Sequence, residues 1–232
     1  TGKPLASMYF IQIVWGLRKE PFIGVRPLNH AKEAPTTGAW QFTNAIDSWS
    51  WQGYEGEKAV VEVYANSASV RLLLNGKEIA NKPVKKYKTL FKLPYQPGTL
   101  TAEALDERGN VISSHSLTTA GEETVLRVTP DKMVLCANNQ ALCYLPIEFT
   151  DKAGNLKPYM EQRVEVAVAG AATLAGFGSA LCKTNEVFDK PYHHSYRGRC
   201  LAVLRAGSTP GKAKVTVTSA GMEPVTIEVE VQ

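Results

Sequence analysis

Residues 60–79, VVEVYANSASVRLLLNGKEI, constrain the fold more than any other part of the chain. Val61 and Val63 alternate with a glutamate and a tyrosine, and this period of two predicts a strand that is buried on one face. After a polar break the alternation resumes and ends at Asn75-Gly76. Both of these residues tolerate the positive φ that a two-residue hairpin requires. The stretch therefore predicts short strands joined by turns, without a helix.

Similar short segments continue to the end of the chain and predict an all-β fold. The turn signals between them favour β-sandwiches, with a break near residues 120–123 that separates two sets of strands. The predicted strands are 58–64, 69–74, 88–93, 99–105 and 111–118 in the first set, and 124–128, 133–136, 142–149, 163–168, 200–205, 212–218 and 225–231 in the second.

The residues before Trp51 follow a different pattern. Apolar residues recur at three and four positions along 4–16, with Pro4 suited to a first turn and Gly16 to an end, and they predict one short helix. Residues 17–50 show no clear period and contain several prolines and glycines. We interpret them as an irregular connector that wraps along something larger.

Composition excludes some classes of function. The net charge of the 232-residue chain is only +4 and its lysines and arginines are scattered, the densest group being Lys82, Lys85, Lys86 and Lys88. Nucleic-acid binding requires a concentrated basic face, so we expect no nucleic-acid partner. No segment approaches the roughly 18 consecutive apolar residues of a membrane span.

Four cysteines leave two interpretations open. Cys136, Cys143, Cys182 and Cys200 are either half-buried thiols or partners in one or two disulfides of an oxidising compartment. No C-x-x-C pair is present, so neither a zinc site nor thioredoxin-like chemistry is indicated. We expect no metal and no cofactor.

Two segments of similar sequence suggest that the two sets of strands form similar units. Residues 106–110 (DERGN) and 151–155 (DKAGN) each follow an alternating strand and place Asp at a turn start. They favour hairpin turns over calcium loops, because neither supplies five oxygen ligands. The glycines of 170–178 are not followed by a helical pattern, so they indicate tight strand ends and close backbone approach, not a dinucleotide site.

Two aromatic clusters are the candidate binding residues. Trp49, Trp51 and Tyr54 lie in SWSWQGYEG, where the two indoles share one face of an extended segment. They form either a platform for stacking sugars or an anchor packed on a neighbouring domain.

The second cluster lies in the segment NEVFDKPYHHSYRGR, which contains Tyr192, His193 and Tyr196. A solvated loop is the simpler interpretation, and the spacing fits no standard set of metal ligands. The same side chains combine a flat apolar face with a polar tip and are suited to sugar contact.

No catalytic motif is present. The chain has no P-loop, no G-x-S-x-G and no H-E-x-x-H, and its acidic residues follow no pattern that predicts a carboxylate pair. We expect no catalytic residue in this chain.

Taken in order, several motifs make the chain similar to a known family. The motifs are Ser7-Met8-Tyr9 with Trp15-Gly16; Trp49-Ser50-Trp51 with Gly53 and Glu55-Gly56; Val63-Tyr64 and Asn66 with Leu74-Asn75-Gly76-Lys77; Pro94-Tyr95 with Pro97-Gly98; Leu117 with Thr119-Ala120-Gly121; and, near the end, Asp151-Lys152, Leu174-Ala175-Gly176, Gly198-Arg199 and Leu204-Arg205-Ala206. With these motifs in this order, the chain resembles the C-terminal region of bacterial β-galactosidase-type enzymes of glycoside hydrolase family 2.

The resemblance implies a domain organisation. Residues 1–50 are expected to be the end of a catalytic-barrel helix followed by a connector. Two tandem immunoglobulin-like β-sandwiches are expected to follow, at 51–120 and at 121–232, and the second is of the bacterial immunoglobulin-like type. The catalytic glutamates of the family lie in barrel strands to which nothing here corresponds.

The resemblance also implies a function. The chain is expected to be a non-catalytic accessory part of a retaining β-galactosidase-like enzyme, with the barrel of the same parent chain and β-galactoside glycans as partners and a periplasmic or secreted location. The alternatives are a stand-alone carbohydrate-binding module, or a structural, adhesin-like pair of domains that binds protein.

Overall fold

The computed structural model describes residues 3–32, 38 and 41–232, which form two compact units, Lys3–Thr119 and Ala120–Gln232. The elements of the first unit are α1 (Ala6–Val14), β1 (Phe22–Val25), β2 (Lys58–Tyr64), β3 (Ser69–Leu74), β4 (Lys77–Pro83), β5 (Lys88–Pro94), β6 (Thr99–Leu105) and β7 (Val111–Thr118). No helix in the described part of the chain is long and apolar enough to cross a membrane.

The first unit is a β-sandwich of two antiparallel sheets. One sheet has the strand order β1-β2-β5 and the other β4-β3-β6-β7. The predicted alternation is confirmed on β3, where Val70, Leu72 and Leu74 are buried and the residues between them are half-buried. Strands β1 and β4 were not predicted from the pattern, because β1 has only four residues and β4 is a polar strand at a sheet edge.

The predicted hairpin at Asn75-Gly76 is confirmed. Both residues have positive φ (53° and 78°) and join β3 to β4 as a two-residue loop. The Asn75 side chain also accepts a hydrogen bond from the Thr99 amide (2.8 Å) and donates one to the Pro97 carbonyl (3.3 Å). A Cβ on Gly98 would lie 1.9 Å from Asn75 Oδ1, so this glycine is required for the two turns to meet.

Strand β2 differs from the prediction because it is buried on both faces. Val61 and Val63 are fully buried, but so are Glu62 and Tyr64 on the opposite face. That second face is covered by α1 and by residues 42–45 of the connector, whereas β1 lies beside β2 in the same sheet. Alternation within β2 cannot reveal this covering. The expectation of a strand buried on one face was therefore wrong.

A small second core forms on this covered face. Its buried members are Ala6, Ile13, Phe22, Ala45 and Tyr64, and Tyr9 and Phe10 pack against them. The Tyr9 and Phe22 rings stack at 4.3 Å between centroids, and Phe22 and Tyr64 stack at 5.7 Å. These contacts hold α1 against the first sandwich.

The predicted connector is more ordered than its sequence suggests. It contains β1, and Val25 and Ile46 exchange backbone hydrogen bonds of 2.8 and 2.9 Å. Residues 21–28 and 43–50 of the connector are largely buried and pack on the first sandwich itself. Residues 33–37, 39 and 40 of the predicted connector lie outside the described residues.

The second unit is also a β-sandwich. Its strands are β8 (Val125–Val128), β9 (Val134–Leu135), β10 (Leu142–Thr150), β11 (Arg163–Gly170), β12 (Ala172–Gly178), β13 (Tyr192–His194), β14 (Arg199–Ala206), β15 (Gly211–Ser219) and β16 (Val225–Val231). The strand orders are β12-β14-β10-β8 and β13-β11-β15-β16-β9. Only the β9–β16 pair is parallel among the described strand pairs of this unit. With both sandwiches present, the all-β prediction is confirmed.

Strands β12 and β13 were not predicted. β12 carries glycines at positions 176 and 178, and its pairing with β14 shifts register between Leu174 and Gly176. A Cβ on Gly178 would meet the Phe188 ring at 2.2 Å, and one on Gly170 would meet the Lys212 carbonyl oxygen at 2.1 Å. The predicted close approach to glycine backbone is therefore confirmed, although the segment is itself a strand.

The two DxxGN segments adopt the same turn. In each, the aspartate carboxylate accepts hydrogen bonds from the backbone N–H and the side-chain amide of the asparagine four residues later, at 2.8–3.0 Å. The glycines, Gly109 and Gly154, have positive φ (83° and 90°). These amide donors engage the carboxylates of Asp106 and Asp151, which confirms the hairpin-turn interpretation.

A buried lysine secures the start of the second unit. The Lys157 side chain is fully buried, and its Nζ donates to the carbonyls of Glu122 (2.7 Å) and Glu123 (3.0 Å) and to Thr124 Oγ1 (2.8 Å). All three ammonium protons therefore have an acceptor. Burial lowers the pKa of Lys157, against the opposing effect of nearby carboxylates.

We predict that Lys157→Met destabilises the second unit by about 3 kcal/mol, because three buried acceptors lose their donor. Chemical denaturation of the 232-residue chain, followed by a probe in the second unit, measures the change. Lys152→Met is the matched control: Lys152 pairs with Glu123 on the surface, and such pairs contribute less than about 1 kcal/mol. Equal effects of the two substitutions would contradict the role given to Lys157.

Candidate functional site

The first aromatic cluster lies in the core of the first unit. The side chains of Trp49 and Trp51 are fully buried, while Tyr54 is half-buried in the following turn. The Trp49 ring meets Tyr95 edge to face at 4.9 Å, and its Nε1 donates to the Gln96 carbonyl at 3.0 Å. A sugar-stacking platform requires an exposed ring face, so this burial argues against the platform. The two rings pack inside their own unit and not on a neighbouring domain.

Hydrogen bonds around Trp49 attach three segments of the first unit to one another. Thr119 Oγ1 donates to the Trp49 carbonyl at 2.7 Å, and the Trp51 amide donates to the Tyr95 hydroxyl at 3.1 Å. The connector, the end of β5 and the end of β7 therefore meet at the two tryptophans. Sugar contact through Tyr54 stays a prediction.

The second aromatic cluster lies at a sheet edge of the second unit. Tyr192 and His193 belong to β13, and Tyr196 precedes β14. Tyr192 is 38% exposed, with the Arg163 guanidinium 4.0 Å from its ring centroid. Tyr196 is half-buried, with Arg197 4.9 Å from its ring.

Glu186 organises the loop beside this cluster. Its carboxylate lies 2.8 Å from His194 Nδ1 and 3.3 Å from His193 Nδ1. His193 is fully buried and stacks on Phe188 at 5.5 Å. Burial raises the pKa of Glu186, but hydrogen bonds from His194 and the charges of both histidines outweigh it, and the net pKa is lowered.

The structure places Tyr192 and Tyr196 where they can contact a ligand, and His193 where it cannot. Glycan binding at these residues stays a prediction. Within the described residues, no group of three His, Cys, Asp or Glu side chains is arranged to hold a metal ion.

All four cysteines are free thiols in the structure. Cys136 and Cys182 are exposed, whereas Cys143 and Cys200 are buried. Burial raises the pKa of Cys143 to about 11 and that of Cys200 to about 12. Because the thiolate is the reactive form, the two buried thiols are poor nucleophiles.

A buried electrostatic centre at Glu62 was not identified from the sequence. Its carboxylate is completely buried in the first unit and accepts four side-chain hydrogen bonds, two on each oxygen. The donors are Arg26 Nε (2.8 Å) and Thr43 Oγ1 (3.0 Å) to Oε1, and Lys88 Nζ (2.6 Å) and the Tyr64 hydroxyl (2.7 Å) to Oε2. The period of two had placed Glu62 on an exposed face, so only the three-dimensional covering of β2 reveals the centre.

The Glu62 centre is suited to holding structure and not to chemistry on a substrate. Burial raises the pKa of Glu62, but the hydrogen bonds from Lys88, Tyr64 and Arg26 outweigh it, and the net pKa lies below the ordinary value of a glutamate. Burial and the neighbouring carboxylate raise the pKa of the Tyr64 hydroxyl. A carboxylate that is charged at neutral pH, fully hydrogen-bonded and without solvent access cannot reach a substrate as nucleophile or acid.

Comparisons with known proteins point to the same family as the motifs of the sequence. Residues 126–228 match the family model of glycoside hydrolase family 2 C-terminal domain 5, and residues 56–113 match a domain of unknown function, DUF4982. Among curated proteins, the β-galactosidase BoGH2A of Bacteroides ovatus is 29% identical over 195 residues, which is 83% of this chain and 23% of that protein.

Solved structures match over the whole chain. A glycosyl hydrolase family 2 member from Bacteroides cellulosilyticus superimposes with a TM-score of 0.86 and 26% identity, covering 100% of this chain and 31% of that one. A β-glycosidase from Bacteroides vulgatus shares the fold, with a TM-score of 0.76, 21% identity, and coverage of 98% and 27%. The chain therefore spans less than a third of the length of each of these relatives.

We predict that Glu62→Gln lowers the free energy of unfolding of the first unit by about 3 kcal/mol at neutral pH, because the charges of Lys88 and Arg26 lose their buried partner. The folded-state pKa of Glu62 is depressed, so its stabilisation is present above pH 4.5 and is lost as the pH falls through the folded-state value. Chemical denaturation from neutral to acidic pH should show a smaller loss of stability on acidification in the variant.

Glu103→Gln is the control for this experiment. Glu103 pairs with Arg71 across neighbouring strands at 2.7 Å, but both side chains are partly exposed. We expect a change below about 1 kcal/mol. A Glu62→Gln variant as stable as this control would show that the buried centre contributes little.

Proposed function

We propose that this chain, whose residues 126–228 match the C-terminal domain 5 of glycoside hydrolase family 2, is a non-catalytic accessory region of a longer β-galactosidase-like enzyme. In that enzyme it packs against the catalytic barrel and supports it, while the carboxylates that perform hydrolysis lie elsewhere in the chain. Its relatives are three to four times as long as this chain, which supports the proposal of a larger parent chain.

The observation that carries the proposal is the apolar surface of α1 and the residues just after it. One side of the helix, with Ala6 and Ile13, is buried against the first sandwich. On the other side of the helix Met8 is 48% exposed, and just after the helix Trp15 and Leu17 are 76% and 75% exposed. None of the nine residues of α1 is charged, so the exposed side lacks the polar face of a solvent-facing helix. A catalytic barrel in the same chain would cover it.

Three acidic residues, Glu62, Asp106 and Asp151, have structural partners that support a non-catalytic role. A retaining glycosidase uses two carboxyl groups about 5–5.5 Å apart that both face the sugar. Glu62 is saturated by internal partners, and Asp106 and Asp151 are engaged by turn amides. Each of these acidic groups has a structural explanation.

A second candidate function, glycan contact, is favoured at β13. Tyr192 exposes part of a ring that Arg163 holds in place, and such a side chain suits the apolar face of a sugar. We propose this contact as an addition to the supporting role, with Tyr192 and Tyr196 as the residues that make it.

We predict that Trp15→Ser with Leu17→Ser destabilises the longer enzyme by about 3 kcal/mol but leaves the isolated 232-residue chain within about 0.5 kcal/mol of the parent sequence. The difference arises because both side chains are exposed in the chain alone. Thermal unfolding of the two forms measures it, and Ile112→Ser with Met133→Ser, which removes two other exposed apolar side chains, is the control. An unchanged longer enzyme would contradict the supporting role.

A direct activity assay completes the test. We expect the isolated chain to show no turnover of a chromogenic β-galactoside, and we expect the longer enzyme to hydrolyse it. Turnover by the isolated chain, retained after removal of contaminating enzymes by repeated purification, would overturn the non-catalytic assignment.

A further inference from the structure

An open groove of about 620 Å³ lies on the first unit, between the turn after β4 and the aromatic side chains of α1 and the connector. Its apolar part is formed by Phe10, Phe42 and Leu90. Phe42 and Leu90 are 36% and 40% exposed, so their apolar surface is accessible. The volume is in the range of ordinary small-ligand sites.

The remainder of the groove is basic. Lys82, Lys85, Lys86 and Lys88 line it, and no acidic side chain does so among the described residues. Lys88 is neutralised by Glu62 beneath it, and Lys82 donates one hydrogen bond to the Leu90 carbonyl at 2.9 Å. Lys85 and Lys86 are exposed and form no ion pair within the described part of the chain. Three positive charges are therefore left uncompensated beside an apolar surface.

The turn that carries these lysines has an unusual backbone. Lys86 and Tyr87 both have positive φ (50° and 62°), and the flanking Lys85 and Lys88 exchange two backbone hydrogen bonds of 3.1 Å. This geometry normally uses Asn-Gly, and it is strained for lysine and tyrosine. Strain of this kind is concentrated at ligand sites, where it holds side chains in place.

Protection of sheet edges does not account for this lysine cluster. Lys77, Lys82 and Lys92 lie on the edge strands β4 and β5, where lysine commonly prevents strand pairing with other molecules. Lys85 and Lys86 instead lie in the turn between these strands, where there is no strand edge to protect.

We propose that the groove binds an anionic saccharide, a sugar unit that bears a carboxylate or a sulfate group. The apolar face of the sugar ring would pack on Phe42 and Leu90, and the anionic group would accept charge-assisted hydrogen bonds from Lys85 and Lys86. That the anion is a saccharide rests on the proposed function, whereas the preference for an anion rests on the charge of the groove alone.

Isothermal titration of the 232-residue chain tests the proposal. The probes are a galacturonate trisaccharide, a 6-sulfated galactose disaccharide, neutral galactobiose, sodium sulfate and polyglutamate. We expect at least one anionic saccharide to bind about tenfold more tightly than the neutral sugar and than free sulfate, with affinity falling as salt is added. Whichever anionic saccharide binds identifies the carboxylate or the sulfate as the group recognised.

Two pairs of substitutions locate the binding. Lys85→Gln with Lys86→Gln should weaken binding of the anionic saccharide about tenfold. Lys77→Gln with Lys92→Gln removes the same charge from exposed positions outside the groove and should leave binding nearly unchanged. Equal losses in the two variants, equal affinity for neutral galactobiose, or no binding of any saccharide would overturn the proposal.

Tight binding of polyglutamate without any saccharide would also overturn it and would point to an acidic protein partner. These outcomes are independent of the α1 experiment in the longer enzyme. If α1 proves to be covered but no saccharide binds the groove, only the groove assignment fails. If the saccharide binds and α1 proves to be uncovered, only the supporting role fails.

Discussion

The first unit depends on a charge that is buried where two layers of the structure meet. Moving a carboxylate out of water is so unfavourable that Glu62 is tolerated only with its cationic and hydroxyl partners in place. Those partners come from distant parts of the chain: Arg26 follows β1, Thr43 lies in the connector, and Lys88 begins β5. Strand β2 can therefore be buried on both faces only when the connector is folded against the sandwich. The interaction ties the connector to the sandwich, and α1 is held by the apolar contacts of Tyr64 on the same face.

Local chemistry made much of this fold predictable. The hairpin at Asn75-Gly76 and the two DxxGN turns follow from which residues tolerate positive φ, and β2, β3, β6 and β7 follow from alternation. What could not be predicted depends on neighbours that are distant in sequence. Alternation cannot show that Glu62 lies beneath a second layer. The glycines of β12 weaken its strand pattern, and only its pairing with β14 identifies it as a strand.

The candidate site likewise has features that the sequence predicts and features that depend on three-dimensional packing. The sequence offered two aromatic clusters as candidate binding residues, but the role of an aromatic residue depends on its burial. Trp49 and Trp51 lie in the core, whereas Tyr192 lies at an exposed sheet edge. The lysines at 82–88 form the densest basic group in the sequence, yet only their position beside Phe42 in a concave surface suggests a ligand.

The buried Lys157 has a consequence for how such chains can be divided and recombined. Its ammonium group is coordinated by the backbone of residues 122–124, so this short segment behaves as an internal part of the second unit and not as a spacer. Lengthening or shortening this segment would move its carbonyl groups away from the Lys157 ammonium group. Because that group is buried, solvent could not supply the lost acceptors. In evolution, as in the laboratory, a functional exchange of modules should therefore take place before Ala120, and the second unit should carry its leading segment with it.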